Sequence, residues 1–526
     1  MKKIIILIIF ILILRFWGLE IMPPHLRNDE AALGYNAYSI LTTGKDEYGR
    51  FFPLLFQSFE DWKPGLYIYL TIPIINILGI NETTIRLFSA ISGILTIFLV
   101  YLITNQLFAN KVISAYAAFF TAFSPSQIIF SRGAWEANTS LTFTLFGIYF
   151  FLKSFTKPKS LLISTVFFSL TFLTYHGAKV STILILIVLT TIYYKEFRKF
   201  NYYKTIIVLS LMIALVISFP VLLSFFNNKS SRINSLSLIN NIAPQTYINS
   251  ILSQSGESNH NFINILYHNQ FLVYLRSILW RWSEHFTLST LFVKGDLNPQ
   301  HTPPNMGPFI LFDGIFVILG LIKLIRLKLP KQRGFLFLWL VLSPIPSSLT
   351  IESVNFVRSL LMFIPLIIIE SLGAFEFYQY FKKNKNSRLI YCIFVISIII
   401  YLGSYMYFID QYFAHASKKN GAWQYGYKQM ISKINSTTSN FRKIHIADGP
   451  DRPYIFFLLF GRNLTIETSR KIVFDKIDWN NYKPKLDDLY ILPSSKIPDV
   501  NNLNYKVVDT IKDLDNFTIY KFLKFE

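Results

Sequence analysis

Eleven stretches of this chain are each apolar over roughly the 20 residues that a helix needs to cross a bilayer. That single feature excludes most folds. The stretches fall at about residues 4–20, 84–104, 111–129, 138–153, 160–176, 179–194, 204–226, 308–325, 334–351, 356–373 and 388–408. Hydrocarbon offers no water to backbone N–H and C=O groups, so long uniform apolar runs must pair those groups internally, as helices do. Composition agrees: 52% of residues are hydrophobic and 15% charged, where a soluble globular chain carries about 25% charged residues. The expected fold class is an α-helical polytopic membrane protein of the cell membrane. A twelfth apolar stretch, PGLYIYLTIPIINILG at 64–79, is short and contains Pro73. It is expected to lie at the interface rather than to span.

Orientation follows from the basic residues. Lys2 and Lys3 precede Ile4–Leu14 as in a signal peptide, but the continuation RFWGLEIMPPHLRNDE offers no small-residue cleavage site. The first span is therefore expected to stay, with the N-terminus cytoplasmic. With 64–79 not spanning, the cytoplasmic joints are NQLFANK, KSFTKPKS, YYKEFRKFNYYK, IRLKLPKQRG and FKKNKNSR, all net basic. A spanning 64–79 would put every one of them outside, against the positive-inside rule. The same clustering accounts for the net charge of +21 without nucleic acid. No basic stripe or zinc-finger spacing supports a nucleic-acid partner. Cys392, the only cysteine, lies in an apolar run and rules out an intrachain disulfide.

This threading predicts a membrane domain over 1–409, with a first outer loop at 20–83 and a large outer loop at 227–307. The large loop opens with a stretch rich in Asn and Ser. It continues as LYHNQFLVYLRSILWRWSEHF (266–286), whose Trp280, Arg281 and Trp282 suit a helix lying at the interface. The remainder, 410–526, is more charged. Its runs KIHIAD, DLYILPSS and YKVVDTIKDLDNFTIYKFL predict strands of a small soluble α/β domain on the outer face.

The predicted outer turns collect ionisable residues from distant parts of the chain. Arg27, Asp29 and Glu30 follow the first span. Asp46 and Glu47 lie in GKDEYGRFFPLLF, and Asp61, Trp62 and Lys63 in EDWKPGLYIY. Arg132 and Glu136 sit in SPSQIIFSRGAWEAN, His176 and Lys179 in TYHGAK, Asp296 and His301 in KGDLNPQHTPPNMGPF, and Arg358 in PSSLTIESVNFVRSL. Loop charges taken singly are usually just solvated. Lys63, however, stands directly before a Pro-Gly at the head of the short apolar helix, and Arg358 begins a span. An unpaired charge at that depth is expensive, and cations there suit a lipid phosphate. A carboxylate beside them could deprotonate an incoming hydroxyl. Tyr35, Tyr67, Trp135 and Trp423 are candidates to stack on a sugar, although interfacial aromatics usually serve as anchors.

In order and spacing these motifs resemble the GT-C class of membrane glycosyltransferases, in the protein O-mannosyltransferase and lipid A aminoarabinose transferase branch. The elements are the acidic pair Asp29-Glu30, the run GKDEYG, WKPGLYIY with Arg86 soon after, SPSQIIFSRGAWEAN, and PIPSSLTIESVNFVR. The likeness covers residues 1 to about 410 and is strongest over 20–140. It implies a GT-C fold with juxtamembrane helices in the first outer loop, and a polyprenyl-phosphate-linked sugar as donor. A lipid, glycan or protein hydroxyl would be the acceptor. It implies Asp29 as the catalytic carboxylate, Lys63 as a carrier-phosphate contact and Arg358 as a phosphate-binding arginine. Glu136 stands where related enzymes often carry an aspartate. Arg27 is expected to keep Asp29 ionised, and Glu30 to orient the loop or pair with Arg27 or Arg132. With His301, these complete the expected substrate-binding set. The leaving group would be a lipid-anchored phosphate monoester, so no divalent metal or other cofactor is chemically required.

Two other readings compete. A polysaccharide polymerase or ligase using a lipid-diphosphate donor needs similar outer-face cations. A transporter or flippase of lipid-linked sugars needs polar residues along the middle of several spans, whereas the span centres here are nearly clean.

Overall fold

The computed structural model describes residues 2–197, 202–226, 238, 244–255, 262–384, 387–418, 423–437, 441–477, 484–497 and 504–526. Most of the Asn- and Ser-rich opening of the large loop lies outside them. The chain begins with α1 (Lys2–Phe16), and the first loop then builds a compact unit. This consists of α2 (Asn28–Thr43), a hairpin of β1 (Leu55–Ser58) and β2 (Asp61–Pro64), and α3 (Leu66–Leu78). The hairpin was not foreseen. α3 is the predicted short apolar helix, and its 13 residues reach about 20 Å, well short of a hydrocarbon core of about 30 Å.

The bundle continues through α4 (Glu82–Phe108), α5 (Lys111–Phe123), α6 (Pro125–Arg132), α7 (Glu136–Ser154), α8 (Ser160–Phe172), α9 (Ala178–Phe197) and α10 (Tyr202–Phe226). Three helices stand in the large loop: α11 (Pro244–Ser255), α12 (Phe262–Tyr267) and α13 (Gln270–Glu284). α13 is the expected interfacial helix, and it buries no residue fully. Next come α14 (Asp313–Arg326), α15 (Pro330–Leu342), α16 (Ile345–Ser348), α17 (Phe363–Lys383) and α18 (Arg388–Asp410).

Each of the eleven predicted spans is helical over most of its length, yet among the described residues five helices are long and apolar enough to cross a membrane, or six counting one bent pair. That pair is α5 and α6, which meet at 54°. Pro125 has no N–H to donate and pushes Ser124 to an extended ψ of 126°, so the predicted span 111–129 is broken there. The predicted 356–373 helix is displaced to 363–383, with residues 356–358 in a turn and Leu360–Met362 in a short 3-10 helix ahead of it.

The first half of α17 is buried and contributes to the largest core cluster of the bundle. It packs so closely on α14 that a Cβ at Gly320 would stand 1.9 Å from Ile369 O, and one at Gly373 1.9 Å from Phe316 O. Small residues at such crossings let helices approach backbone to backbone. Asp313 and Glu370 are two acidic residues within these spans, both buried, and Asp313 Oδ2 accepts from Ile310 N at 3.1 Å.

The tail folds as α19 (Tyr427–Thr437), β3 (Ile444–Ala447), α20 (Tyr454–Phe460), α21 (Ile466–Lys471), β4 (Ile472–Asp475), β5 (Leu489–Pro493), β6 (Tyr505–Lys512) and β7 (Thr518–Phe525). The sheet order is β4-β3-β5-β7-β6. β3 runs parallel to β4 and β5, and β7 is antiparallel to β5 and β6. The predicted α/β character is what the fold shows. Its apolar face does not close on itself. Tyr427, Met430, Ile455 and Phe456 share one core with Leu26, Ala31, Leu33 and Tyr67 of the first loop, so the tail braces the loop that carries Asp29 and Lys63.

Candidate active site

A cavity of about 480 Å³ opens where the N-terminus of α2, the end of β2, the α6–α7 turn, the α8–α9 turn, α13 and the α16–α17 connection converge. Of the residues expected in the site, Arg27, Asp29, Glu30, Lys63, Glu136, His301 and Arg358 line it. Arg132 does not.

Asp29 sits in the first turn of α2 with its side chain 38% exposed, while that of Lys63 is 7% exposed. The β1–β2 hairpin sets Lys63 opposite Phe56 and delivers its ammonium to Asp29 Oδ1. The ion pair expected from Arg27 is thus supplied by Lys63. A lysine has three N–H donors, so one bond to Asp29 leaves capacity for an anionic ligand.

Glu30, one residue on, is placed differently. Its carboxylate accepts from Arg86 Nε at 3.0 Å, Arg86 Nη2 at 2.9 Å, Ala134 N at 2.7 Å and Arg27 N at 3.1 Å. Burial alone would raise this carboxyl, but the Arg86 guanidinium and these bonds outweigh it and hold the group below the usual carboxylate range. Arg86 also donates to the carbonyls of Leu19, Pro23 and His25 at 2.6–2.7 Å. The expected side-chain partners of Glu30, Arg27 and Arg132, are therefore corrected to Arg86, which the sequence offered only as a landmark.

Arg132 is fully buried and donates to the carbonyls of Leu14, Trp17, Gly18 and Met22. It closes the C-terminal end of α1, where unpaired carbonyls favour a cation. Its expected substrate role is not what this placement provides.

On the far wall, His301 Nδ1 lies 2.5 Å from Asp296 Oδ2, which also accepts from Phe356 N at 2.8 Å. The imidazole packs against Phe130 and Trp135. Arg358 Nη1 donates to Thr350 Oγ1 at 2.8 Å and Glu352 Oε2 at 3.0 Å. Tyr175, His176, Lys179, Asn298 and Asn355 also line the cavity without having been proposed for it. His176 and Lys179 were visible as charges in an outer turn, but nothing in one dimension showed which way that turn faces. Of the four aromatics singled out, Trp135 and Trp423 line the cavity. Tyr67 is buried elsewhere and donates to Ile85 O at 3.0 Å, and Tyr35 packs at the edge of the first-loop core.

The cavity therefore holds a half-exposed carboxylate beside a buried lysine, with Arg27, Lys179 and Arg358 adding positive charge around it. Such an arrangement can bind a phosphate and take a proton from a hydroxyl. Among the described residues, no group of three or more His, Cys, Asp or Glu is arranged to hold a metal ion.

The family model described as dolichyl-phosphate-mannose-protein mannosyltransferase matches residues 63–223, beginning at Lys63. No curated protein matches the sequence. Among solved structures, ArnT from Cupriavidus metallidurans bound to undecaprenyl phosphate superposes with a TM-score of 0.58 at 13% identity, over 99% of this chain and 98% of that one. Its apo state gives a TM-score of 0.54 at 14% identity, over 99% and 98%. The expected likeness is borne out: this multi-pass membrane protein has the GT-C fold of ArnT over nearly its whole length, and over 63–223 it carries the sequence pattern of the mannosyltransferase family.

Proposed function

We propose that this chain is an inverting membrane glycosyltransferase that moves a sugar from a polyprenyl-phosphate carrier to a hydroxyl acceptor at the outer face. The observation that carries the reading is the pairing of Asp29 with Lys63 at the mouth of one cavity that also gathers Lys179 and Arg358. Asp29 takes the acceptor proton, and the acceptor oxygen bonds to the anomeric carbon as the bond from that carbon to the phosphate oxygen breaks. One displacement without a covalent enzyme intermediate inverts configuration. Lys63 and Arg358 stabilise the charge gathering on the departing phosphate, so the reaction needs no divalent metal. The ArnT structure solved with undecaprenyl phosphate supports a lipid-phosphate carrier for this fold. The acceptor is a lipid, glycan or protein hydroxyl. The N-terminus is cytoplasmic and the tail lies outside, as the basic joints require.

The test uses full-length enzyme in detergent, a panel of undecaprenyl-phosphate hexoses as donors and a cell-envelope extract as acceptor. Release of undecaprenyl monophosphate is expected, with an inverted linkage in the product. Asp29→Asn should lower turnover roughly 10²–10⁴-fold, the usual contribution of a positioned general base. Undiminished turnover in Asp29→Asn, or turnover only with diphosphate-linked donors, refutes the reading.

A further inference from the structure

A helix start needs acceptors for its first amides, usually from Ser, Thr, Asp or Asn at the N-cap. Arg27 occupies that place on α2, and its side chain carries only donors. The amide of Asn28 is satisfied instead by Gln424 Oε1 at 2.7 Å, from a residue 396 positions away. Gln424 is fixed on its other side, where Nε2 donates to Asp451 Oδ1 at 2.9 Å. Its backbone has φ 50°, in the left-handed region that non-glycine residues rarely enter. Neighbours in the same stretch reinforce the grip. Tyr425 packs edge-on against His25 with ring centroids 6.2 Å apart. Trp423 reaches the cavity wall with its indole Nε1 donating to Ala416 O at 3.2 Å.

We propose that Gln424 is a positioning residue for Asp29. By capping the first turn of α2 from the tail, it holds the Asp29 carboxylate at the cavity in reach of both Lys63 and the acceptor hydroxyl. The tail is thereby part of the catalytic unit. The proposal rests on Asp29 being the base. A general base works only within hydrogen-bond reach of its proton, and a misplacement of about 1 Å can cost on the order of 10²-fold. Lys63 and Arg358, the proposed phosphate contacts, lie outside α2, so donor binding is expected to persist without this cap.

The experiment measures kcat and donor KM of full-length variants with whichever undecaprenyl-phosphate hexose the wild type turns over. Gln424→Ala should lower kcat roughly 10- to 100-fold, with donor KM and melting temperature close to wild type. Gln424→Glu alone sets two carboxylates against each other and should be similarly slow. Adding Asp451→Asn reverses the polarity of the pair. The new carboxylate then accepts from both Asn28 N and the new amide, so the double variant should recover most of the lost kcat. A Gln424→Ala enzyme with wild-type kcat, a loss that tracks the amount of folded protein, or a double variant as slow as its parents overturns the proposal. Full activity of Asp29→Asn overturns the base assignment instead, whatever Gln424 does.

Discussion

Replacing Glu30 by Gln changes one atom of the side chain and should unfold the first loop before it affects the chemistry. Glu30 accepts four hydrogen bonds, two at each oxygen: Arg86 Nε and Ala134 N at one, Arg86 Nη2 and Arg27 N at the other. An amide nitrogen in either position faces two donors and can accept from neither. Two buried donors lose their partner, at about 1–3 kcal/mol each, and Arg86, wholly buried, loses its counter-charge. Breaking a buried ion pair from one side costs about 3–5 kcal/mol, so the two routes give the same scale. That is a large part of the net stability of a typical domain, about 5–15 kcal/mol. The assay is a thermal melt and the monodisperse yield of purified Glu30→Gln, alongside kcat and donor KM of whatever remains folded. A lowered melting temperature and poor yield are expected, with near-normal kcat per folded molecule. A variant that melts like the wild type yet turns over no donor would refute this. It would show that Glu30 acts on the substrate and that the base had been placed one residue too early.

Three further outcomes follow from the geometry. Lys63→Ala should raise donor KM markedly and Lys63→Arg should recover part of the loss, because charge returns with a different shape; unchanged donor affinity in the alanine enzyme would remove Lys63 from the phosphate site. Burial pushes the Glu47 carboxyl up to about 7. The folded protein thus holds a proton there that the unfolded chain releases near 4.5, and this residue's contribution to stability declines as pH rises from about 4.5 through about 7. The melting temperature of Glu47→Gln should fall less than that of wild type between about pH 5 and about pH 8, and parallel curves would count against it. Arg470→Cys in α21 should be modified by a membrane-impermeant thiol reagent added to intact cells, and labelling only after lysis would invert the proposed orientation.

What the sequence determined on its own was the part of the structure governed by short-range rules. Apolar runs became helices because a backbone in hydrocarbon must pair with itself. The tail strands appeared at KIHIAD and DLYILPSS, where residues favouring pleated sheet cluster. The pairing of charges was not legible. Asp29, Glu30, Arg27 and Arg132 all stand beside a membrane exit, so proximity along the chain gave no basis for assigning partners. Folding sent Glu30 to Arg86, 56 residues on, and Arg132 to carbonyls more than 100 residues back. It set Lys63 on Asp29 and brought Gln424 from the tail to the start of α2. The physical reason lies in reach and dielectric. A helix rule extends over four residues, whereas a buried charge must find its counter-charge wherever the packed chain brings one. Which carboxylate stays at the cavity and which is locked into the frame was therefore decided by tertiary structure alone.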